Sequence, residues 1–243
     1  MQKNLSFGLL GYNISYSLSP KIYNYWFKGY NITASYNLID IAELTPNVFS
    51  NYKGFNITKP YKEKIIPFLK KLSPEVQLIK SVNLVADNIG YNTDYLGLLD
   101  SYQYYNIHTA NKNILILGAG GAARAVAYSL KDSAKNIFIY NRTQEKAAKI
   151  IADFNISNYQ DNIEFDIIFN ATTLPFAEIL QQVKPKNNNK TIYYDLNYYH
   201  NKDTGMQQID GLYMLLSQAK YNFEKFFGIL PEINQQLLEF IKK

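Results

Sequence analysis

A chain of 243 residues with 47% hydrophobic and 19% charged side chains has room for one large domain or two ordinary ones with a sizeable core, and no apolar run approaches the roughly 18 to 20 residues of a membrane span. The absence of cysteine excludes disulfides, thiolate metal sites and cysteine nucleophiles, and the only histidines, His108 and His200, have no ligand spacing around them, which argues against a metal mechanism. The net charge of +5 comes from lysines spread along the whole chain, a pattern of solvated surface rather than of a nucleic-acid footprint.

In chain order, LSFGLLGY reads as a strand, and its apolar stretch, broken by Gly8, Gly11 and polar residues, does not resemble a secretory h-region; the expectation is a cytoplasmic protein without membrane attachment. SPKIYNYWFKGY reads as a helix with Ser19 as N-cap and Pro20 at the first helical position. SYNLIDI is a second strand, TPNVFSNY a helix start and GFNIT a third strand. KPYKEKIIPFLKKL is expected as a helix starting near Pro60, with Pro67 inside it or at its end. SVNLVADNIGYNTD holds two short strand-like pieces joined by a turn at Asp87 to Gly90, and YLGLLDSYQYY is amphipathic enough for a helix.

The pattern changes at NKNILILGAGGAARAVAYSL. ILIL is a continuous apolar run without alternation, suited to a parallel strand buried on both faces. A glycine-rich turn and a small-residue helix follow, then the strand NIFIYNRT, and later FDIIFNAT and TIYYDLNY, each a strand ending in polar residues. Strands alternating with helices indicate a doubly wound parallel sheet, with a domain joint near residue 98. The chain closes on two helical segments, GLYMLLSQAKYNFEKFF and LPEINQQLLEFIKK.

Within GAGGAAR, Gly118 permits a tight turn, Gly120 allows the backbone to approach a pyrophosphate, and the small Ala123 stands where close helix-to-strand packing is needed. The helix N-terminus then offers N–H groups and a positive dipole end to phosphates. The following strand decides between cofactors. An NAD site places a carboxylate on the ribose 2′-hydroxyl, whereas IFIY is followed by Asn141, Arg142 and Thr143. A guanidinium grips a 2′-phosphate that a carboxylate would repel, so NADP is favoured. Arg142 as an ordinary surface cation is the bland alternative. The only other arginine, Arg124, either approaches the phosphates or caps the helix side.

The first hundred or so residues carry polar clusters at strand ends: Ser17 with Ser19, Asn56 with Thr58 and Lys62, and Asn83 with Asp94. Hydroxyls and amides suit a polyhydroxylated or carboxylated ligand, and Lys62 with Asp94 suits proton transfer beside a nicotinamide. Each cluster also has a plain structural reading: a helix cap, turn residues, a solvated helix charge. The triplet Asn56-Ile57-Thr58 fits a glycosylation acceptor, but a chain with 27 Asn produces such triplets by chance and nothing points to export. Asn56 and Thr58 alternate with Ile57, so both are expected on one side of the strand.

Taken together the motifs resemble the shikimate dehydrogenase family from end to end. GYNISYSLSPKIYN is similar to G-x-P-I-x-H-S-x-S-P-x-x-H-N, GFNITKPYK to G-x-N-V-T-x-P-x-K, and SVNLV with GYNTDYLG to A-V-N-T and G-x-N-T-D-x-x-G; GAGGAARA, NRTQEKA, FNATT, YYDLNY and GLYMLLSQAKYNFEKFFG follow in family order. The resemblance implies an α/β chain with a substrate-binding domain over 1–98, a Rossmann-type NADP domain over 99–212 and C-terminal helices over 213–243 that return to the substrate domain. It implies reversible NADPH-dependent reduction of 3-dehydroshikimate to shikimate, with a small-molecule substrate and a monomer or homodimer as the acting form. By the same resemblance, Ser17 and Ser19 bond the shikimate carboxylate, with Tyr198 and Thr58 near it. Lys62 and Asp94 flank the reacting hydroxyl, and Asn83 and Gln218 bind its neighbours. Gly118, Ala119, Gly120, Gly121 and Ala122 cradle the pyrophosphate, Asn141, Arg142, Thr143 and Lys146 hold the 2′-phosphate, and Thr172, Leu196 and Gly211 border the nicotinamide. Two departures stand out: Tyr16 replaces the family's histidine, and NATTLPF replaces N-A-T-S-x-G with a shorter loop that lacks glycine. A quinate/shikimate dehydrogenase homologue using NAD or NADP, and a nucleotide-sensing regulatory protein without turnover, are the alternatives.

Overall fold

Strand β1 (Leu5–Gly11) is flanked on both sides by parallel partners, β2 (Ala34–Asp40) and β3 (Gly54–Ile57). This chain is seen in a computed structural model that describes residues 5–45, 52–198 and 208–242. Residues 46–51 of TPNVFSNY, and His200, lie outside them. The chain divides into two compact units, Met1–Asp94 with Leu216–Lys243, and Tyr95–Leu215. Among the described residues no helix is long and apolar enough to cross a membrane.

In the first unit, α1 (Ser19–Gly29) links β1 to β2. Leu18, not Ser19, precedes the first helical turn, and Ser19 and Pro20 are its first two residues. The capping oxygen comes from further back: Ser17 Oγ accepts the Ser19 N–H at 3.2 Å, which leaves Ser19 free to be helical. After β3, residues 59–72 do not form the expected helix. The Lys59–Pro60 peptide is cis, the Ile65 N–H reaches the Tyr61 carbonyl at 2.9 Å in a single helical turn, and Ile66–Phe68 is only a short 3-10 helix before β4 (Lys71–Leu72). Pro67 has no N–H to donate and disfavours α backbone at Ile66, so the turn does not propagate.

Helix α2 (Pro74–Ile79) and the hairpin β5 (Leu84–Ala86) and β6 (Ile89–Tyr91) complete the sheet, in the order β2-β1-β3-β5-β6-β4. The hairpin turns through Asp87 and Asn88 at φ 50° and 62°, the left-handed region that Asp and Asn tolerate and a tight hairpin requires. The end of α7 (Leu212–Phe227) and α8 (Gln235–Lys242) belong to this unit. Phe7 of β1 meets Phe226 and Phe227 at 4.7 and 4.9 Å between ring centres, and Trp26 of α1 stands edge-on to Phe223 at 5.4 Å. An aromatic core of this kind buries about 150–250 Å² per ring.

Helix α3 (Asp94–Tyr104) leads into the second unit, which follows the alternation read from sequence: β7 (Asn113–Leu117), α4 (Gly121–Leu130), β8 (Asn136–Tyr140), α5 (Gln144–Phe154), β9 (Ser157–Asn158), β10 (Ile167–Asn170), α6 (Phe176–Val183), β11 (Ile192–Asp195) and β12 (Gln208–Ile209). All strand pairs are parallel, in the order β12-β11-β10-β7-β8-β9. The unbroken ILIL run has a direct cause: Ile114 and Ile116 pack into one core layer, Leu115 and Leu117 into the other. Strand order reverses between β7 and β10, which leaves a crevice position at their carboxyl ends where doubly wound sheets bind ligands.

Candidate active site

In the second unit β7 ends at Leu117 and the chain turns through Gly118 at φ +106°. Its N–H donates to the Tyr140 carbonyl at the end of β8 at 2.8 Å. A Cβ at Gly118 would lie 3.0 Å from the backbone of Ala171 and 3.1 Å from Thr172 Cγ2, so the turn is seated against the end of β10. Gly120 differs: its backbone is extended (φ −99°, ψ −173°) and a Cβ there would meet nothing within 4 Å. Gly120 is the N-cap of α4 and brings no side-chain cap, so the first-turn N–H groups carried by Gly121, Ala122 and Ala123 face the space that Gly120 keeps open. One closed and one open glycine make a cradle that fits a pyrophosphate.

The end of β8 places Asn141, Arg142 and Thr143 together, and Asn141 Nδ2 donates to the Thr143 carbonyl at 2.8 Å. Arg142, Thr143 and Lys146 are exposed. The two arginines have separate fates. Arg124 is buried, paired with Asp153 and stacked on Phe154 with its guanidinium carbon 5.6 Å from the ring centre. It ties α4 to α5, whereas Arg142 stands exposed just after the end of β8.

The loop NATTLPF, without glycine, is shaped by side chains instead. Buried Asn170 at the end of β10 donates to the Leu174 carbonyl at 2.9 Å and to Asp195 Oδ1 at 3.1 Å, and accepts from the Thr172 N–H at 3.0 Å. Asn197 Nδ2 donates to Asp195 Oδ1 at 2.7 Å and to the Thr172 carbonyl at 3.0 Å. The Leu196 N–H donates to the Asn170 carbonyl at 3.0 Å, and a Cβ on Gly211 would stand 2.1 Å from the Leu196 carbonyl oxygen. Thr172, Leu196 and Gly211 are thereby brought to one edge. Sequence reasoning passed over Asn170, Asp195 and Asn197, the residues that hold this edge. Tyr198 follows it, half-buried in the second unit.

In the first unit the strand directions gather the polar clusters. β1 and β3 are parallel, β5 runs against β3, and β6 against β5. The carboxyl ends of β1, β3 and β6 and the amino end of β5 therefore share one edge. Residues 12–19, 58–62, 83 and 92–94 all leave from it. Ser17 and Ser19 Oγ are 3.2 Å apart. Thr58, half-buried, anchors its N–H on the Leu10 carbonyl at 2.8 Å, and the Lys59 carbonyl accepts the Tyr12 N–H at 3.2 Å.

Lys62 Nζ donates to Asp94 Oδ2 at 2.6 Å, with side-chain exposures of 19% and 4%. The Lys62 carbonyl accepts the Val82 N–H at 2.8 Å, which fixes the turn bearing the amine. Asp94 opens α3, where the helix dipole favours a carboxylate. Asn83 Nδ2 donates to its other oxygen, Oδ1, at 2.8 Å, and to Gln218 Oε1 at 3.3 Å. Lys62, Asp94, Asn83 and Gln218 are thus one connected group. Asn56 is not part of its ligand face. The Asn56 amide oxygen accepts from Tyr23 and Tyr36 hydroxyls at 2.9 and 2.7 Å, and its Nδ2 donates to the Asn83 carbonyl at 3.2 Å. Its role is to hold β3 to α1, β2 and the start of β5.

These features agree with what the chain is similar to. Residues 9–85 match the shikimate dehydrogenase substrate binding domain, and residues 103–215 the shikimate / quinate 5-dehydrogenase domain. An NADP(+) shikimate dehydrogenase of Clostridium botulinum is 37% identical over 87% of this chain and 92% of its own. Among solved structures, a shikimate dehydrogenase from Aquifex aeolicus superposes with a TM-score of 0.84 at 28% identity, covering 100% of this chain and 99% of its own. The Thermus thermophilus enzyme, solved in complex with NADP(H) and shikimate, gives 0.82 at 28% identity, covering 98% of each chain. The chain belongs to the shikimate dehydrogenase family.

Proposed function

We infer that this chain is an NADP-dependent shikimate dehydrogenase that interconverts 3-dehydroshikimate and shikimate, with the first unit as the substrate domain and the second as the cofactor domain. The observation that carries the reading is the Lys62–Asp94 pair at 2.6 Å, tied to Asn83 in a unit matching the family's substrate domain.

NADPH, when bound, supplies the hydride for the carbonyl carbon of 3-dehydroshikimate. It would be held by the Gly118 to Ala122 turn at its pyrophosphate, by Asn141, Arg142, Thr143 and Lys146 at its 2′-phosphate, and by Thr172, Leu196 and Gly211 at the nicotinamide. The chain's own chemistry is the proton. As charge develops on the carbonyl oxygen, the Lys62 ammonium donates a proton to it, the new O–H bond forms and Lys62 is left as a neutral amine that solvent reprotonates. In the reverse direction that amine accepts the hydroxyl proton. Asp94 keeps Nζ aimed, and because the carboxylate is almost fully shielded from water the pair holds one geometry. Ser17 and Ser19, with Thr58 and Tyr198, take the substrate carboxylate; Asn83 and Gln218 take the ring hydroxyls beside the reacting carbon. The reading extends to a cytoplasmic enzyme, monomeric or homodimeric, that engages neither nucleic acid nor membrane.

The test follows NADP reduction with shikimate, with quinate and NAD in parallel. Activity is expected with shikimate and NADP, and Lys62→Ala is expected to lower kcat by about 10²- to 10⁴-fold with NADPH binding unchanged. Turnover near that of the parent in this variant removes Lys62 from the chemistry; NADPH binding without turnover of any substrate in the parent supports a sensing protein instead.

A further inference from the structure

Ser17 lies in, and Ser19 directly follows, the loop of residues 12–18 that joins β1 to α1. A loop holds a ligand-binding hydroxyl less firmly than a strand or helix does, because its N–H groups have no ladder to join. Here two of them, side by side, are taken by one side chain. The Asn13 N–H donates to Asp40 Oδ1 at 2.8 Å, and the Ile14 N–H to Asp40 Oδ2 at 3.0 Å. Asp40 is the last residue of β2, directly opposite Gly11 at the end of β1 in the parallel register, and the Ile41 N–H closes that pairing on the Gly11 carbonyl at 3.0 Å. The carboxylate therefore stands where the loop leaves the sheet.

From there the hold passes along the backbone. The Ile14 carbonyl accepts the Ser17 N–H at 2.9 Å, and Ser17 Oγ accepts the Ser19 N–H at 3.2 Å. The Ile14 side chain is buried. A Cβ on Gly11 would stand 2.6 Å from both Ile14 Cγ2 and Thr58 Cγ2, so the anchored Ile14 and Thr58 both lie directly over Gly11. The polarity of the clamp admits one reading, since a carboxylate only accepts and a backbone N–H only donates. An asparagine of the same shape has one accepting oxygen and would set its NH2 group against the other N–H. The charge is informative too. Asp40 is exposed at the edge that would receive the substrate carboxylate, and a second negative charge there works against anion binding. Two charge-assisted bonds to the loop backbone offset that penalty. We propose that Asp40 is a positioning residue of the carboxylate subsite: by clamping the Asn13 and Ile14 N–H groups it pre-organises the loop that presents Ser17 and Ser19, and so lowers the ordering cost of substrate binding. In this scheme it touches neither the substrate nor the reacting atoms. The proposal rests on the reading of Ser17 and Ser19 as the groups that bind the substrate carboxylate.

Steady-state kinetics on Asp40→Asn, Ser17→Ala and the double variant test it. Asp40→Asn is expected to raise KM for shikimate about tenfold, the effect of losing one charge-assisted bond, with kcat and the KM for NADP within about twofold of the parent. Ser17→Ala also removes the oxygen that relays the hold to Ser19, so the double variant is expected to lie within about twofold of Ser17→Ala alone. Amide hydrogen exchange on the parent gives an independent reading that serves if Asp40→Asn fails to fold: the Asn13 and Ile14 amides are expected to be protected before shikimate is added, and to change little when it is. Fully additive effects, equal rises in the KM of shikimate and NADP, or Asn13 and Ile14 amides unprotected in the free enzyme overturn the proposal. A raised KM in Ser17→Ala with Asp40→Asn unchanged overturns it alone. An unchanged KM in Ser17→Ala overturns the carboxylate reading with it.

Discussion

The two glycines of the nucleotide turn make opposite predictions from the same substitution. Alanine at Gly118 meets two obstacles. A non-glycine residue in the left-handed region at φ +106° costs about 1–3 kcal/mol. Its Cβ would also press to 3.0 Å on the Ala171 backbone, which cannot swing aside as a side-chain tip can, at a further cost of about 1–3 kcal/mol. The sum, roughly 2–6 kcal/mol, corresponds to a fall in Tm on the order of 10 °C for a unit of this size. Alanine at Gly120 meets neither obstacle, because its backbone is extended and its Cβ would point into open space. Its stability is expected to hold, or to rise by up to about 1 kcal/mol through the less flexible unfolded chain. That open space is, however, where a pyrophosphate would sit. A methyl group there is expected to cost one charge-assisted hydrogen bond, about 1.5–3 kcal/mol, and so to weaken NADPH binding roughly 10- to 100-fold. Thermal melts and NADPH fluorescence titrations read the two quantities apart. If Gly120→Ala melts as low as Gly118→Ala, or binds NADPH as the parent does, the division into a closed and an open glycine is wrong.

The arginines are expected to separate in a similar way. Arg142→Ala should raise KM for NADP at least about tenfold more than for NAD with Tm unchanged, the loss of a charged phosphate contact. Arg124→Ala should leave the cofactor preference alone and cost about 1.5–3 kcal/mol of stability, because it removes the buried guanidinium's charged hydrogen bond to Asp153 and its packing on Phe154; a cofactor effect from Arg124 would refute its scaffold role. Alkaline pH offers another test. Burial pushes the phenols of Tyr23, Tyr36, Tyr102 and Tyr194 well up from their ordinary value of 10.0, and burial raises Tyr105 to about 12. A folded-state pKa above the unfolded one gives stability that is complete below pH 10 and is lost as pH climbs through the folded values. The urea midpoint is expected to fall steadily above about pH 10, with phenolate absorbance appearing together with loss of helical circular dichroism. Titration of these tyrosines near pH 10 in a folded chain would contradict their burial.

What could be read from the sequence, and what could not, divides along a physical line. ILIL declared its strand because both faces are buried, and GAGGAAR declared its turn because only glycine adopts φ +106° against the Ala171 backbone. Both signals are local: burial and backbone conformation constrain residue type at the position itself. Polar partnership is not local. Arg124 sits inside the nucleotide motif and faces Asp153, while Asn222 sits in an ordinary-looking helix and meets Thr93, 129 positions away. Nothing in their immediate neighbours distinguishes a ligand contact from a scaffold contact, because that is decided by the element packed opposite. The helix expected over 59–72 failed for a related reason. Its apolar spacing was adequate, but the edge needed Lys62 on a turn close to Asp94, and Pro67 prevented propagation. A spacing of four between Gln218 and Asn222 was the one local hint, since such residues are neighbours on a helix face. It gains meaning only in the fold, where Asn222 bonds both Gln218, at 2.8 Å on its own helix, and Thr93, at 2.6 Å from a distant part of the chain, so that the partnership belongs to the tertiary fold rather than to any motif.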